Sequence, residues 1–456
     1  MNFKTKLAIR LGKLSKNLIN IVGRKGTHIP GQIALKIDPN LYSNIDKREN
    51  IIVVTGTNGK TSTSNLIADS LKSLNVPISY NGLGSNTGPG IAATMIDTIN
   101  ESGLKTSIDT SIFEIDELWL RKIIPNFQIS TLTVTNLFQD SYERNANLYF
   151  MFNRINSAII PGTKLILNAS DAISSQLGDE SNPRVYFNVD IMDYEEEYID
   201  SKIKEAIYCP ICDSPLEWDF KRYLNIGKYH CNKCGYRNPE ASYIVKNIDR
   251  ENNELLVLDH GIEVKLNLVQ DRIENVYNQI AAYATLRENG YSIGELKEAM
   301  DGISIVKSRF YDMEIANKSI ASIVAKGYNP VASSLVLYRL GLEKRKKTVI
   351  YLVDDSSIRD YSDRNMGWLF STDFKNIDNE YLNNFILCTK KDPVIKFVCA
   401  LDGFNMNKFK MADTLDDVIK YINPDSKEVI YILHDIEDEN IAIEKELIKK
   451  LREHLE

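Results

Sequence analysis

An apolar run, Ile51-Ile52-Val53, leads directly into Val54-Thr55-Gly56-Thr57-Asn58-Gly59-Lys60-Thr61. A strand, a glycine turn and then Lys-Thr opening a helix constrain this chain more than any other feature. In such a loop the backbone N–H groups and the helix N-terminus converge on phosphate oxygens, a lysine reaches the β- and γ-phosphates, and a Ser/Thr hydroxyl holds Mg²⁺. The residues Thr55, Gly56, Thr57, Asn58, Gly59, Lys60, Thr61 and Ser62 therefore read as an ATP site, with Lys60 catalytic and Thr61 on the metal. Val54 stands where the general P-loop pattern has its first glycine.

A length of 456 residues predicts two or three domains. From Ile51 to about Asp200, strand-like runs alternate with helical ones, at Ile51–Val54, Ser62–Leu74, Ser107–Phe113, Ile129–Thr133, Leu148–Ile160 and Lys164–Leu167. That rhythm predicts an α/β fold with a parallel sheet covered by helices. The stretch 202–246 breaks the rhythm, and 250–302 resumes it with a strand and two helices. A second α/β pattern follows, with strands at Lys347–Val353, Phe385–Cys388 and Glu428–Leu433, and a hinge is expected near 304–310. The expected division is a basic segment, 1–50, packed on an ATPase domain, 51–303, that carries an insertion at 205–240, then a smaller α/β domain, 304–456.

The interruption holds four of the six cysteines, as Cys209-x2-Cys212 and Cys231-x2-Cys234. Four thiolates in two such pairs can surround Zn²⁺ tetrahedrally with no position left open, so a structural zinc ribbon is expected, its hairpin formed by Leu216–Trp218 and Lys228–His230. Cys388 and Cys399 lie in apolar surroundings and read as buried hydrophobes.

Phe113-Glu114-Ile115-Asp116-Glu117 closes a strand, where open α/β sheets place their ligands. Glu114 is the first candidate, and Glu117 the second, for the carboxylate that shares Mg²⁺ with Thr61. Thr135 to Asp140 offer polar groups after the next strand. Asn275 and Asn278, three residues apart, share one helix face and could reach a purine, and Arg309 near the hinge could clamp phosphates.

A net charge of −7 argues against a nucleic-acid surface, yet residues 1–37 carry eight Lys/Arg and no Asp/Glu. There Phe3, Leu7, Leu11, Leu14, Leu18 and Val22 recur at helical spacing. The favoured reading is an amphipathic helix packed on the first domain with a solvated basic side, against a role at a membrane surface. Charges interrupt every apolar run, so neither a signal peptide nor a membrane span is expected, and the chain reads as cytoplasmic, with the inner face of the membrane as a further place for it.

Taken together, Ile29–Pro39, Thr55–Thr61, Asn81–Asn86, Phe113–Glu117, the four cysteines and Tyr277–Ala282 resemble the MurT branch of the Mur ligase superfamily, the synthetase subunits of lipid II isoglutaminyl synthases. The likeness runs from about residue 24 to 310 and, more weakly, to about 375. It implies that ATP phosphorylates the α-carboxylate of a glutamate in a cell-wall peptide stem and that ammonia then displaces phosphate. The ammonia would come from a GatD-like glutaminase bound as a heterodimer. The short segment before the loop, and the absence of a lysine in Tyr149–Arg154 where ordinary Mur ligases carry a carbamylated one, agree with this branch.

The resemblance also implies that an aspartate of the C-terminal domain completes the partner's Cys-His pair, and Asp355, then Asp354, matches by its place after a strand. Its surroundings differ from the family's, as does Ala325–Pro330, where Lys326 and Asn329 are expected to line the nucleotide or acceptor pocket. Such departures suit a distant member, for which a pseudomurein-making methanogen would be a natural home. Two other readings share the loop: a Mur-type ligase adding an amino acid to a murein or pseudomurein precursor, and a scaffold that only binds ATP.

Overall fold

Strand Asn50–Thr55 is apolar and buried from Ile51 onward, and it lies between two other strands of one sheet. The computed structural model describes the chain except residues 1, 22, 24–25, 46–49, 83–84, 100–107, 109, 140–146, 196–200, 304–310, 317, 326–328, 353–366, 389–393 and 436–437. The chain forms two compact units, the first made of Met1–Phe138, Asn147–Ile199 and Glu205–Ile305, the second of Gln139–Ala146, Asp200–Lys204 and Val306–Glu456. The expected hinge lies outside the described residues.

Among the described residues the first unit holds a nine-stranded sheet. From one edge its order is Ile262–Asn267, Glu254–Asp259, Tyr243–Asp249, Arg184–Val189, Lys164–Asn168, Thr131–Val134, Asn50–Thr55, Thr110–Glu114 and Ile78–Tyr80. The seven strands from Tyr243–Asp249 onward run parallel. The first two are antiparallel additions joined by tight turns. The single strand expected in 250–302 is thus corrected to two, with Tyr243–Asp249 before them; Glu254–Asp259 alternates half-buried and buried residues. Strand Thr131–Val134 also begins later than the expected Ile129.

The chain leaves Asn50–Thr55, builds two strands on one side and then crosses to Thr131–Val134 on the other. A reversal of this kind opens a crevice at the carboxyl ends of the strands. Helix Lys60–Ser73 packs against helix Ile273–Glu288, which is buried from Val276 to Leu286.

The N-terminal helix, Phe3–Ile21, packs on Ile29–Ile37. Its buried side is the small-residue face Thr5, Ala8, Gly12 with Ile9, and a Cβ on Gly12 would stand 3.2 Å from Pro30 O. The apolar row recognised in the sequence faces outward instead, with Phe3 81%, Leu14 54% and Leu18 57% exposed; its last member, Val22, lies outside the described residues, and the neighbouring Ile21 is 82% exposed. The solvated side of this helix therefore carries large apolar residues and is not the simply basic side that was expected. Among the described residues no helix is long and apolar enough to cross a membrane.

In the second unit a six-stranded sheet runs Tyr311–Ile315, Lys318–Val324, Val429–His434, Lys347–Leu352, Leu382–Cys388, Phe409–Ala412 among the described residues. Only the first pair is antiparallel. Cys399 is buried, which pushes its thiol up to about 12, whereas Cys388 is half-buried. Asn329 is fully buried and caps helix Pro330–Leu342, accepting from the Ala332 N–H at 2.9 Å.

Candidate active site

Gly59 ends the turn at φ 85° and acts as N-cap of helix Lys60–Ser73. Its left-handed backbone suits glycine and turns the helix N-terminus toward the end of the sheet. Because Val54 pairs with Glu114, the carboxylate at the end of the neighbouring strand arrives beside the loop. Thr61 Oγ1 donates to Glu114 Oε1 at 3.1 Å, Asn86 Nδ2 donates to the same oxygen at 3.2 Å, and Ser64 Oγ reaches Oε2 at 3.5 Å. Asn81 brackets the main chain of Glu114, accepting from its N–H and donating to its carbonyl, each at 2.8 Å. A threonine hydroxyl and a carboxylate already in contact are a donor pair suited to a hard divalent cation such as Mg²⁺.

Lys60 folds back over the loop. Its Nζ donates to Gly56 O, to Thr57 O at 3.2 Å and to Glu117 Oε1 at 3.2 Å. Burial pushes the Glu117 carboxyl up from the usual range, and Lys60 opposes that rise. Glu117 therefore faces the lysine.

The other wall follows strand Thr131–Val134. Asn136 accepts from the Asn58 N–H at 2.9 Å and donates to Asn58 O at 3.0 Å, while its own carbonyl accepts from the Thr57 N–H at 2.9 Å. Thr135 Oγ1 donates to Asn58 O at 2.7 Å. Asn278 sits against Gly59, and its Nδ2 points to Asn275 Oδ1 at 3.4 Å. The structure thus gathers Thr55 to Ser62, Glu114, Asn275 and Asn278 around one loop; Arg309, Asp354, Asp355 and Lys326 lie outside the described residues. Sequence reasoning singled out neither Asn81 nor Asn86 as site residues, although both flank a glycine turn after a strand end, and it left Asn136 as one of several polar groups.

The four cysteine sulfurs of Cys209, Cys212, Cys231 and Cys234 lie within 4.8 Å of one another, with Cys209–Cys234 at 3.5 Å and Cys212–Cys231 at 3.6 Å. Ligands at about 2.3 Å around tetrahedral zinc sit at about that separation. The set fits a structural zinc ion. The hairpin of Glu217–Tyr223 and Ile226–His230 extends beyond the expected strands, and Asn225 at its turn donates to Leu137 O at 3.0 Å and Asp171 Oδ1 at 2.7 Å.

This sheet, loop and carboxylate define a Mur-ligase-type ATP-dependent ligase. Solved structures share the fold: a pseudomurein peptide ligase type C from Methanothermus fervidus superposes with a TM-score of 0.66 at 17% identity, covering 91% of this chain and 81% of that one. MurF ligase from Thermotoga maritima, solved with ADP, superposes with a TM-score of 0.56 at 11% identity over 93% of this chain and 84% of that one.

Residues 327–436 match the MurT ligase C-terminal family. The lipid II isoglutaminyl synthase (glutamine-hydrolyzing) subunit MurT of Staphylococcus aureus (strain COL) is 32% identical over 382 residues, 83% of this chain and 84% of that protein. Its counterpart in Streptococcus pneumoniae (strain ATCC BAA-255 / R6) is 28% identical over 437 residues, 95% of each. The chain belongs to the MurT family.

Proposed function

We propose that this chain amidates the α-carboxylate of a glutamate in a lipid II-type peptide precursor, using ATP and ammonia. The observation that carries the reading is the meeting of Thr61, Glu114 and Asn86 beside a P-loop, in a chain 32% identical to a subunit named for isoglutaminyl synthesis. Lys60 exchanges Glu117 and the loop carbonyls for the β- and γ-phosphates, and Asn275 and Asn278 hold the nucleotide against Gly59. Thr61 and Glu114 would hold Mg²⁺, which when bound neutralises charge on the phosphoryl oxygens. An acceptor carboxylate oxygen attacks the γ-phosphorus and ADP leaves; ammonia then attacks the acyl carbon, phosphate leaves and a proton is lost to solvent. Excluding water from the acyl phosphate protects it from hydrolysis, and Arg309 is proposed to clamp phosphates in that step.

Ammonia comes from a GatD-like glutaminase bound to this chain. Asp355, within the segment matching the MurT C-terminal family, is proposed to orient the partner's histidine. The reading is tested by supplying ATP, Mg²⁺, ammonium and a precursor whose carboxylate carries heavy oxygen. Amide product with label in the released phosphate is expected, glutamine replacing ammonium only when the glutaminase is present, and Lys60→Ala should abolish both. Unlabelled phosphate would end the acyl-phosphate scheme, and incorporation of an amino acid in place of ammonia would turn the assignment to a peptide ligase.

A further inference from the structure

Large apolar side chains of a surface helix ordinarily face the core. In helix Phe3–Ile21 they do the opposite: Phe3, Leu7, Leu11, Leu14, Leu18 and Ile21 are all exposed, while Thr5, Ala8, Ile9 and Gly12 are buried. At 3.6 residues per turn the six fall within an arc of about 80° on the side away from the domain. The helix is held in that rotation. Thr5 Oγ1 donates to Asp38 Oδ2 at 2.6 Å, Lys13 donates to Ile99 O, and Lys16 pairs with Asp97.

Charge flanks the row on both sides. Lys4 borders one edge, Arg10 and Lys6 the other, all three exposed, and residues 1–37 contain no acid. An outward apolar row between cations matches the boundary of an anionic lipid bilayer, where apolar side chains enter the acyl region and Lys/Arg meet headgroup phosphates. A protein partner would need an equally long apolar groove rimmed by acids.

We propose that helix Phe3–Ile21 is a monotopic anchor that lays this chain on an anionic membrane surface. The anchor is independent of the amidation chemistry, since it requires neither nucleotide nor acceptor. Its test is flotation of the full chain with vesicles of phosphatidylcholine alone or mixed with phosphatidylglycerol, at low and high salt, without ATP. The chain should float with the mixed vesicles, less so in high salt and with phosphatidylcholine alone. Leu14→Glu with Leu18→Glu should cut the bound fraction about tenfold or more, and Lys6→Gln with Arg10→Gln should weaken the preference for phosphatidylglycerol. Both variants alter exposed positions, so thermal unfolding and ATP binding should stay as in the parent. A chain that stays in solution with mixed vesicles, or a Leu14→Glu/Leu18→Glu variant that floats like the parent, would overturn the anchor. A dimer that Leu14→Glu/Leu18→Glu dissolves, without vesicle binding by the parent, would reassign the row to a second copy.

Discussion

The carboxamide of Asn278 lies against Gly59 so closely that a Cβ there would stand 2.0 Å from its Oδ1. The helix that carries Asn278 begins more than two hundred residues after the loop, yet it closes one side of the phosphate turn. Gly59→Ala should therefore fail twice, through this clash and through the left-handed φ of 85°, which costs a side chain about 1–2 kcal/mol. Calorimetric ATP affinity should drop at least about tenfold. The Gly59→Ala/Asn278→Ala pair should lose less affinity than the sum of the two single losses, and a strictly additive pair would show that the contact does not matter.

Thr61 Oγ1 donates to Glu114 Oε1 at 3.1 Å. Glu114→Gln keeps an acceptor for the Thr61 and Asn86 donors and removes only the charge. The expected result is a folded enzyme that still binds nucleotide, but whose turnover falls by about a hundredfold and needs more Mg²⁺ to saturate. An unchanged magnesium titration would remove Glu114 from the metal site.

Asp171 ties the ribbon to the loop wall. Its carboxylate accepts from the Leu137 N–H at 2.8 Å, the Ile173 N–H at 2.9 Å, Ser174 Oγ at 2.6 Å and the ribbon's Asn225 Nδ2 at 2.7 Å. Leu137 adjoins Asn136, which straps Asn58. Stripping zinc with a chelator, or Cys212→Ser, should therefore weaken ATP binding about fivefold or more as well as loosening the ribbon. Metal content and calorimetry check it. Asp171→Ala leaves these buried donors without an acceptor and should destabilise the first unit by about 3 kcal/mol, read as a lower unfolding temperature.

Lys347 is buried, its Nζ donating to Leu340 O at 2.7 Å and to Glu343 O. Burial lowers its pKa to about 8, with Glu343 acting in the other direction. The unfolded chain keeps an ordinary lysine, near about 10.4. Between these values the unfolded state binds more protons, so stability rises with pH across that window. Lys318, lowered by burial as well, adds the same sign. Urea midpoints followed by Trp368 fluorescence, with Trp119 and Trp218 replaced by phenylalanine, should climb from pH 8 toward 10, and Lys347→Met should flatten the climb.

Much of the site was legible because its parts are local. The turn from Gly56 to Thr61 needs only its own residues to present N–H groups at a helix start, and each cysteine pair forms its own knuckle. That Glu114 lies beside the loop was expected from its place at a strand end. Its partner Asn86 was not, because nothing local marks which turn residue will face a carboxylate 28 positions away. That Glu117 meets Lys60, 57 positions distant, is likewise set by the fold and not by local sequence.

Local order along the chain was enough to determine that this polypeptide makes an α/β nucleotide domain with a P-loop and a four-cysteine ribbon, because hydrogen-bonded turns and helix starts are short-range structures. Tertiary structure alone decided which carboxylate meets Thr61, which meets Lys60, and that the N-terminal helix turns its leucines outward. Helical periodicity defines an apolar stripe but not the direction it faces. Here the close packing of Gly12 beside Pro30 and the tethers at Asp38 and Asp97 set that direction.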